Sequence, residues 1–153
     1  MYTELDFTTN NDFPQHNKVK EDVVGRPHIL ILEDDLTFKP LWTNAIHLSS
    51  PHAQIDWVQA AEAAERCIKV RQKMGQKYDL VIADIFLSGR KTGIDLWSRY
   101  GDIIENFIFV SSLPRKKFNM LIEAEEFSYP IYLQKPLKAS TCVEIVKQLL
   151  SPT

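Results

Sequence analysis

The chain has 153 residues, 44% of them hydrophobic, and sets 18 Lys plus Arg against 20 Asp plus Glu for a formal charge of -2. That length suits one domain with its own core. The balanced charge lacks the cationic excess by which proteins grip a phosphate backbone, so no direct nucleic-acid partner is expected. No apolar run approaches the roughly 18 to 20 residues that span a bilayer, and no cationic stretch leads into one at the N-terminus, which predicts a cytoplasmic chain with no membrane contact.

Residues 1–27 are polar and aperiodic, include Asn10-Asn11 and two prolines, and read as an N-terminal arm. Tyr2, Phe7 and Phe13 offer apolar anchors by which the arm can dock on its own domain or on a neighbour. From His28 the pattern changes to apolar runs alternating with amphipathic stretches, giving one domain over residues 28–150 and a short tail over residues 151–153. Strands are predicted at 29–33, 54–58, 79–84, 107–111 and 131–134, and helices at 38–48, 59–74, 93–100, 115–126 and 139–150. Five strand-helix units in succession predict an α/β fold, a doubly wound five-stranded parallel sheet with helices on both faces.

Local signals mark the helix starts. Thr37 is placed to cap the first helix, with Pro40 in its opening turn, and Thr141 with Glu144 has the spacing of a capping box. In the second helix Ala60, Ala64, Cys67, Ile68 and Arg71 form a stripe expected to face the core. Cys67 and Cys142 lie far apart without metal-ligand spacing and are expected to be small packing residues, and His16, His28, His47 and His52 form no ligand cluster. Arg115-Lys116-Lys117 reads as a solvated helix turn.

The chemistry lies at the strand ends, because an open parallel sheet binds ligands at the carboxyl ends of its strands. The run HILILEDD delivers Glu33, Asp34 and Asp35; YDLVIAD delivers Asp84; FIFVSS delivers Ser111 and Ser112; IYLQKP delivers Lys135 and Pro136. Unpaired carboxylates brought within about 4 Å repel by roughly 1 to 4 kcal/mol per pair. A cluster of oxygens without His or Cys suits a hard cation, Mg2+ above all, with Glu33 and Asp34 as one wall and Asp84 opposite.

In these residues and their order, residues 27–150 resemble the receiver domains of two-component response regulators, of the single-domain type. The resemblance implies a flavodoxin-like strand order 2-1-3-4-5, Asp84 as phosphoacceptor, and a Mg2+ site made by Glu33, Asp34, Asp84 and the backbone carbonyl of Phe86. It also implies a cis Lys135-Pro136 bond, assistance from Ser111 and Lys135, and a switch in which Ser111 moves and Tyr132 turns inward. The implied donor is a sensor histidine kinase or a histidine phosphotransfer protein, and, with no output domain expected after the last helix, the implied output is docking of a downstream protein or of a second copy as a homodimer.

Three features depart from the family pattern. Ser88 stands where Pro is common, and Gly93 comes nine positions after Asp84 rather than eight, as though one residue were inserted. Ser112 replaces the usual Ala, and Phe86 and Leu113 are bulky where side chains govern water attack on the phosphoaspartate, which implies slow self-dephosphorylation. A haloacid-dehalogenase phosphatase would need an Asp-x-Asp pair after the first strand, and a flavodoxin-like phosphate loop would need free amides and hydroxyls there, not three acids. The remaining alternative is a receiver-shaped interaction module that signals without phosphorylation, against which the complete set of Glu33, Asp34, Asp84, Ser111 and Lys135 stands.

Overall fold

The computed structural model describes residues 25–86, 92–123 and 130–151. Tyr2, Phe7, Phe13, His16 and Ser88 lie outside the described residues, as do residues 124–126 of the helix predicted to run to 126. The strands are β1 (His28–Leu32), β2 (Gln54–Val58), β3 (Leu80–Asp84), β4 (Phe107–Ser111) and β5 (Ile131–Gln134). The helices are α1 (Lys39–Ser49), α2 (Ala61–Lys73), α3 (Gly93–Tyr100), α4 (Arg115–Ile122) and α5 (Ala139–Leu150). All strand pairs are parallel and the order is β2-β1-β3-β4-β5, as expected.

β1, β3 and β4 are buried along their whole length, which is why they read as apolar runs with a polar residue only at one end, His28, Asp84 or Ser111. Alternate residues serve opposite faces. Leu30, Leu32, Val81, Ala83, Phe107 and Phe109 pack under α2, α3 and α4, while Ile29, Ile31, Leu80, Ile82, Ile108 and Val110 pack under α1 and α5. On the first face an aromatic chain ties the layers together: Phe107 to Phe109 at 4.9 Å, Phe109 to Phe118 at 5.5 Å, and Phe118 stacked on Tyr132 at 4.1 Å. Each such pair adds about 0.5 to 1.5 kcal/mol beyond the area it buries. The contacts fix α4 to the sheet edge.

Some local expectations change. Thr37 lies inside a 3-10 turn, Leu36–Phe38, and the residue that caps this turn is Asp35, whose carboxylate accepts the Thr37 N–H at 3.0 Å. α1 follows with no side-chain cap of its own. α5 begins at Ala139, so Thr141 is already within its first turn and makes no capping box. A box does form at α3, where the Thr92 hydroxyl accepts the Asp95 N–H and the Asp95 carboxylate accepts the Thr92 N–H at 2.7 Å. In α2 the buried positions are Ala61, Ala64, Glu65 and Ile68; Ala60, Cys67 and Arg71 lie at the edge of the stripe. Glu65 tolerates burial because Arg99 and Lys69 pair with it at 2.9 and 3.1 Å. Cys142, on the core-facing side of α5, is fully buried, which pushes its thiol up to about 11.

Gly93 fixes where α3 starts relative to β3. A Cβ there would lie 2.3 Å from the Asp84 carbonyl oxygen and 3.3 Å from the Ala83 Cβ, so backbone and helix touch without a side chain between them. Gly93→Ala is therefore expected to cost about 1 to 3 kcal/mol, lowering the melting temperature by roughly 2 to 10 °C. Thermal denaturation followed by circular dichroism measures it, and an unchanged midpoint would contradict the close approach.

Candidate functional site

Four strand ends converge. Glu33 follows β1, Asp84 ends β3, Ser111 ends β4 and Lys135 follows β5. The adjacent registers Asp84 to Val110 and Ser111 to Gln134 hold these ends level, and the Lys135 N–H donates to the Ser111 carbonyl at 2.7 Å. Three of these side chains are almost inaccessible: Glu33 at 3%, Asp84 at 7% and Ser111 at 1%. Lys135-Pro136 is cis.

The Lys135 ammonium sits between two carboxylates, donating to Glu33 Oε1 at 2.9 Å and to Asp84 Oδ2 at 3.0 Å. The other oxygens are held by backbone: Glu33 Oε2 accepts the Asp35 N–H at 3.2 Å and Asp84 Oδ1 accepts the Phe86 N–H at 3.1 Å. Carboxylate oxygens of Glu33, Asp34 and Asp84 come within 4.8 Å of one another, and this is the only such group of potential metal ligands among the described residues. Asp35 belongs to the neighbouring turn, and hydrogen bonds from the Thr37 hydroxyl and N–H hold its carboxyl below the usual range.

One ammonium does not balance the cluster. Burial pushes the Glu33 carboxyl up to about 7, helped by the charge of Asp84 and opposed by the bond from Lys135. Burial alone would lower the Lys135 ammonium, but Glu33 and Asp84 outweigh it and leave it raised. The site is thus a buried, net-negative set of oxygens, the environment in which a hard divalent ion is stabilised.

Beside it, the Ser111 hydroxyl oxygen accepts the Leu113 N–H at 3.1 Å. Where the family pattern has Tyr132 turning inward, the ring is already inside, 2% exposed, with its hydroxyl donating to the carbonyls of Leu113 and Ser111. Arg115 is more than a solvated helix residue: it donates to the Tyr132 carbonyl at 2.9 Å with its guanidinium 5.5 Å from the ring centroid. Sequence reasoning also passed over Phe38, whose ring centroid lies 4.3 Å from the Lys135 nitrogen. The signal available was an aromatic residue on the turn directly after the acids. Phe86 is 57% exposed at the rim.

No family model and no curated protein sequence matches the chain. Solved structures do match its fold. The phosphorylated cyanobacterial phytochrome response regulator RcpA is 16% identical with a TM-score of 0.63, over 82% of this chain and 91% of that one. A two-component response regulator from Cytophaga hutchinsonii is 20% identical with a TM-score of 0.63, over 82% and 97%. The Mn(2+)-bound form of response regulator Rcp1 is 13% identical with a TM-score of 0.61, over 80% and 91%. The fold is that of the CheY-like response-regulator receiver domains. No helix among the described residues is long and apolar enough to cross a membrane.

The raised Glu33 carboxyl gives a pH signature. Its folded value, about 7, exceeds the ordinary 4.5, so the folded state binds this proton more tightly than the unfolded chain. The stability it contributes is full below pH 4.5 and is lost as the pH rises through 7. In chelator-treated buffer, Glu33→Gln is expected to stabilise the protein at pH 8 by on the order of 1 to 3 kcal/mol and to have little effect at pH 4.5. Urea denaturation at both values measures the difference; equal effects at both would contradict the burial of an ionised Glu33.

Proposed function

We propose that this protein is the phosphoacceptor receiver of a two-component phosphorelay, taking a phosphoryl group onto Asp84 from a sensor histidine kinase or a histidine phosphotransfer protein. The observation that carries the reading is the Lys135 ammonium bonded to both Glu33 and Asp84 at the rim of a receiver fold. It acts as an acceptor and switch rather than as a turnover enzyme.

The donor set fits a resident Mg2+: clustered carboxylate oxygens, no nitrogen or sulfur ligand among them, and more negative charge than Lys135 neutralises. Glu33, Asp34 and Asp84, with the Phe86 carbonyl, are the groups to hold it, and a relative in fold has been solved with Mn(2+). When bound, the ion supplies positive charge to phosphoryl oxygens.

The chain's own residues do the rest. The bond from phosphorus to the donor imidazole nitrogen breaks while one forms to a carboxylate oxygen of Asp84, and the imidazole leaves with the electron pair and takes a proton from water. The Phe86 N–H and Lys135 hold the Asp84 carboxylate in place before transfer. Lys135, a compact charge on a flexible stem, then exchanges a carboxylate oxygen for a phosphoryl oxygen. The Ser111 hydroxyl turns its proton to the new group. Because Ser111 and Leu113 share their carbonyls with Tyr132, a shift there is passed to the surface of α4, β5 and α5, where a downstream protein or a second copy of the chain docks.

Incubation with acetyl phosphate and Mg2+ is expected to add one phosphoryl mass to the protein, and Asp84→Asn or removal of Mg2+ by chelator to abolish it; intact-mass spectrometry reads the result. We infer from the family pattern that Phe86 and Leu113, two positions after Asp84 and Ser111, govern the access of water to the phosphoaspartate. Replacing them, as Phe86→Asn with Leu113→Glu, is expected to shorten the phosphoryl lifetime about tenfold, equal to ~1.4 kcal/mol in the hydrolytic barrier. A decay time course by mass spectrometry checks this, and an unaltered lifetime would remove the shielding role.

A further inference from the structure

We propose that Phe38 is a positioning residue for Lys135, its ring face forming with Glu33 and Asp84 the seat in which the ammonium is held. The inference rests on the reading of Lys135 as the cation that meets the transferred phosphoryl group.

The Lys135 nitrogen lies 4.3 Å from the Phe38 ring centroid, well inside the roughly 6 Å over which a ring quadrupole attracts a cation. It donates at the same time to the two carboxylates. A third oxygen would compete for the ammonium's hydrogens and hold it back from an incoming phosphoryl group. A π face attracts the charge without accepting a strong hydrogen bond, so the lysine is oriented and still free to hand its bonds over. An aliphatic residue would fill the same space but supply no such attraction.

The ring is presented by a local device. The Asp35 carboxylate accepts the Thr37 N–H at 3.0 Å and the Thr37 hydroxyl at 2.6 Å, and the Asp35 carbonyl accepts the Phe38 N–H at 3.3 Å. These bonds close the turn Leu36–Phe38, and Phe38 packs against the core cluster under α1. The three successive acids thus divide their work: Glu33 and Asp34 join Asp84 in the oxygen cluster, and Asp35 builds the turn that aims the ring at the lysine.

The test compares full-length chains carrying phenylalanine, leucine, tryptophan or pentafluorophenylalanine at position 38. Pentafluorophenylalanine keeps the ring's outline and reverses the potential of its face. Two quantities are read: the initial rate of Asp84 modification by acetyl phosphate with Mg2+, and the NMR shift of the Lys135 ε-methylene protons in chelator-treated buffer. Phe38→Leu and the pentafluoro chain are expected to slow transfer about three- to tenfold, equal to roughly 0.7 to 1.4 kcal/mol, while Phe38→Trp restores it. The upfield ring-current displacement of the methylene protons is expected in wild type and lost in Phe38→Leu. A pentafluoro chain that reacts as fast as wild type at the same melting temperature overturns the proposal, as does a methylene shift that is the same in wild type and Phe38→Leu. If wild type takes no phosphoryl group, the phosphoacceptor reading fails and the methylene shift alone decides whether the seat exists.

Discussion

A single ammonium held between two nearly inaccessible carboxylates is the constraint around which this molecule is arranged. Removing either partner of such a pair from water costs several kcal/mol, and the bond repays it only when the geometry is held by something rigid. The parallel sheet supplies that rigidity. Glu33, Asp84 and Lys135 are each attached to a different strand, so their separation is set by strand spacing and register rather than by flexible loops. Because Lys135 answers only part of the negative charge, the site is the least comfortable region of an otherwise apolar sheet. Any cation or transferable group that relieves it does so where the fold is stiffest.

Much of this was legible in the residues. A strand buried on both faces is apolar along most of its length, so β1, β3 and β4 announce themselves, and the polar residue at the carboxyl end of each apolar run, Glu33, Asp84 or Ser111, is a candidate site residue although it is itself buried. Cap positions were less legible. Thr37 and Thr141 have suitable side chains, but a cap depends on where the backbone enters the helix, which the β1–α1 turn and the segment after Pro136 decide. Thr92 with Asp95 has the spacing of a capping box, with Asp in place of the usual Glu or Gln at its last position. Phe38 and Arg115 were less legible for a different reason: Phe38 acts on Lys135, nearly a hundred positions away, and Arg115 on Tyr132, seventeen away, and only the place of Phe38 directly after the acids hints at such a pair.

In the proposed switch, a change at the rim would reach the surface through Tyr132. Tyr132 is gripped on every side, by Phe118 against its ring, by Arg115 at its carbonyl and over its face, and by two carbonyls of the β4–α4 connection at its hydroxyl. One of those carbonyls belongs to Ser111, which also receives the backbone N–H of Lys135. Side chain and main chain of one serine therefore stand between the oxygen cluster and α4. A packed aromatic contact of this kind has few intermediate positions, so displacement of the serine is transmitted as a step.

The contact between Gly93 and the Asp84 carbonyl couples β3 to α3 as well as stabilising them. On one side the Phe86 N–H is pinned to the Asp84 carboxylate, and on the other Thr92 closes the first turn of α3. Strand end and helix start are thus joined main chain to main chain, so a movement of the Asp84 backbone reaches α3 with no side chain between them to absorb it.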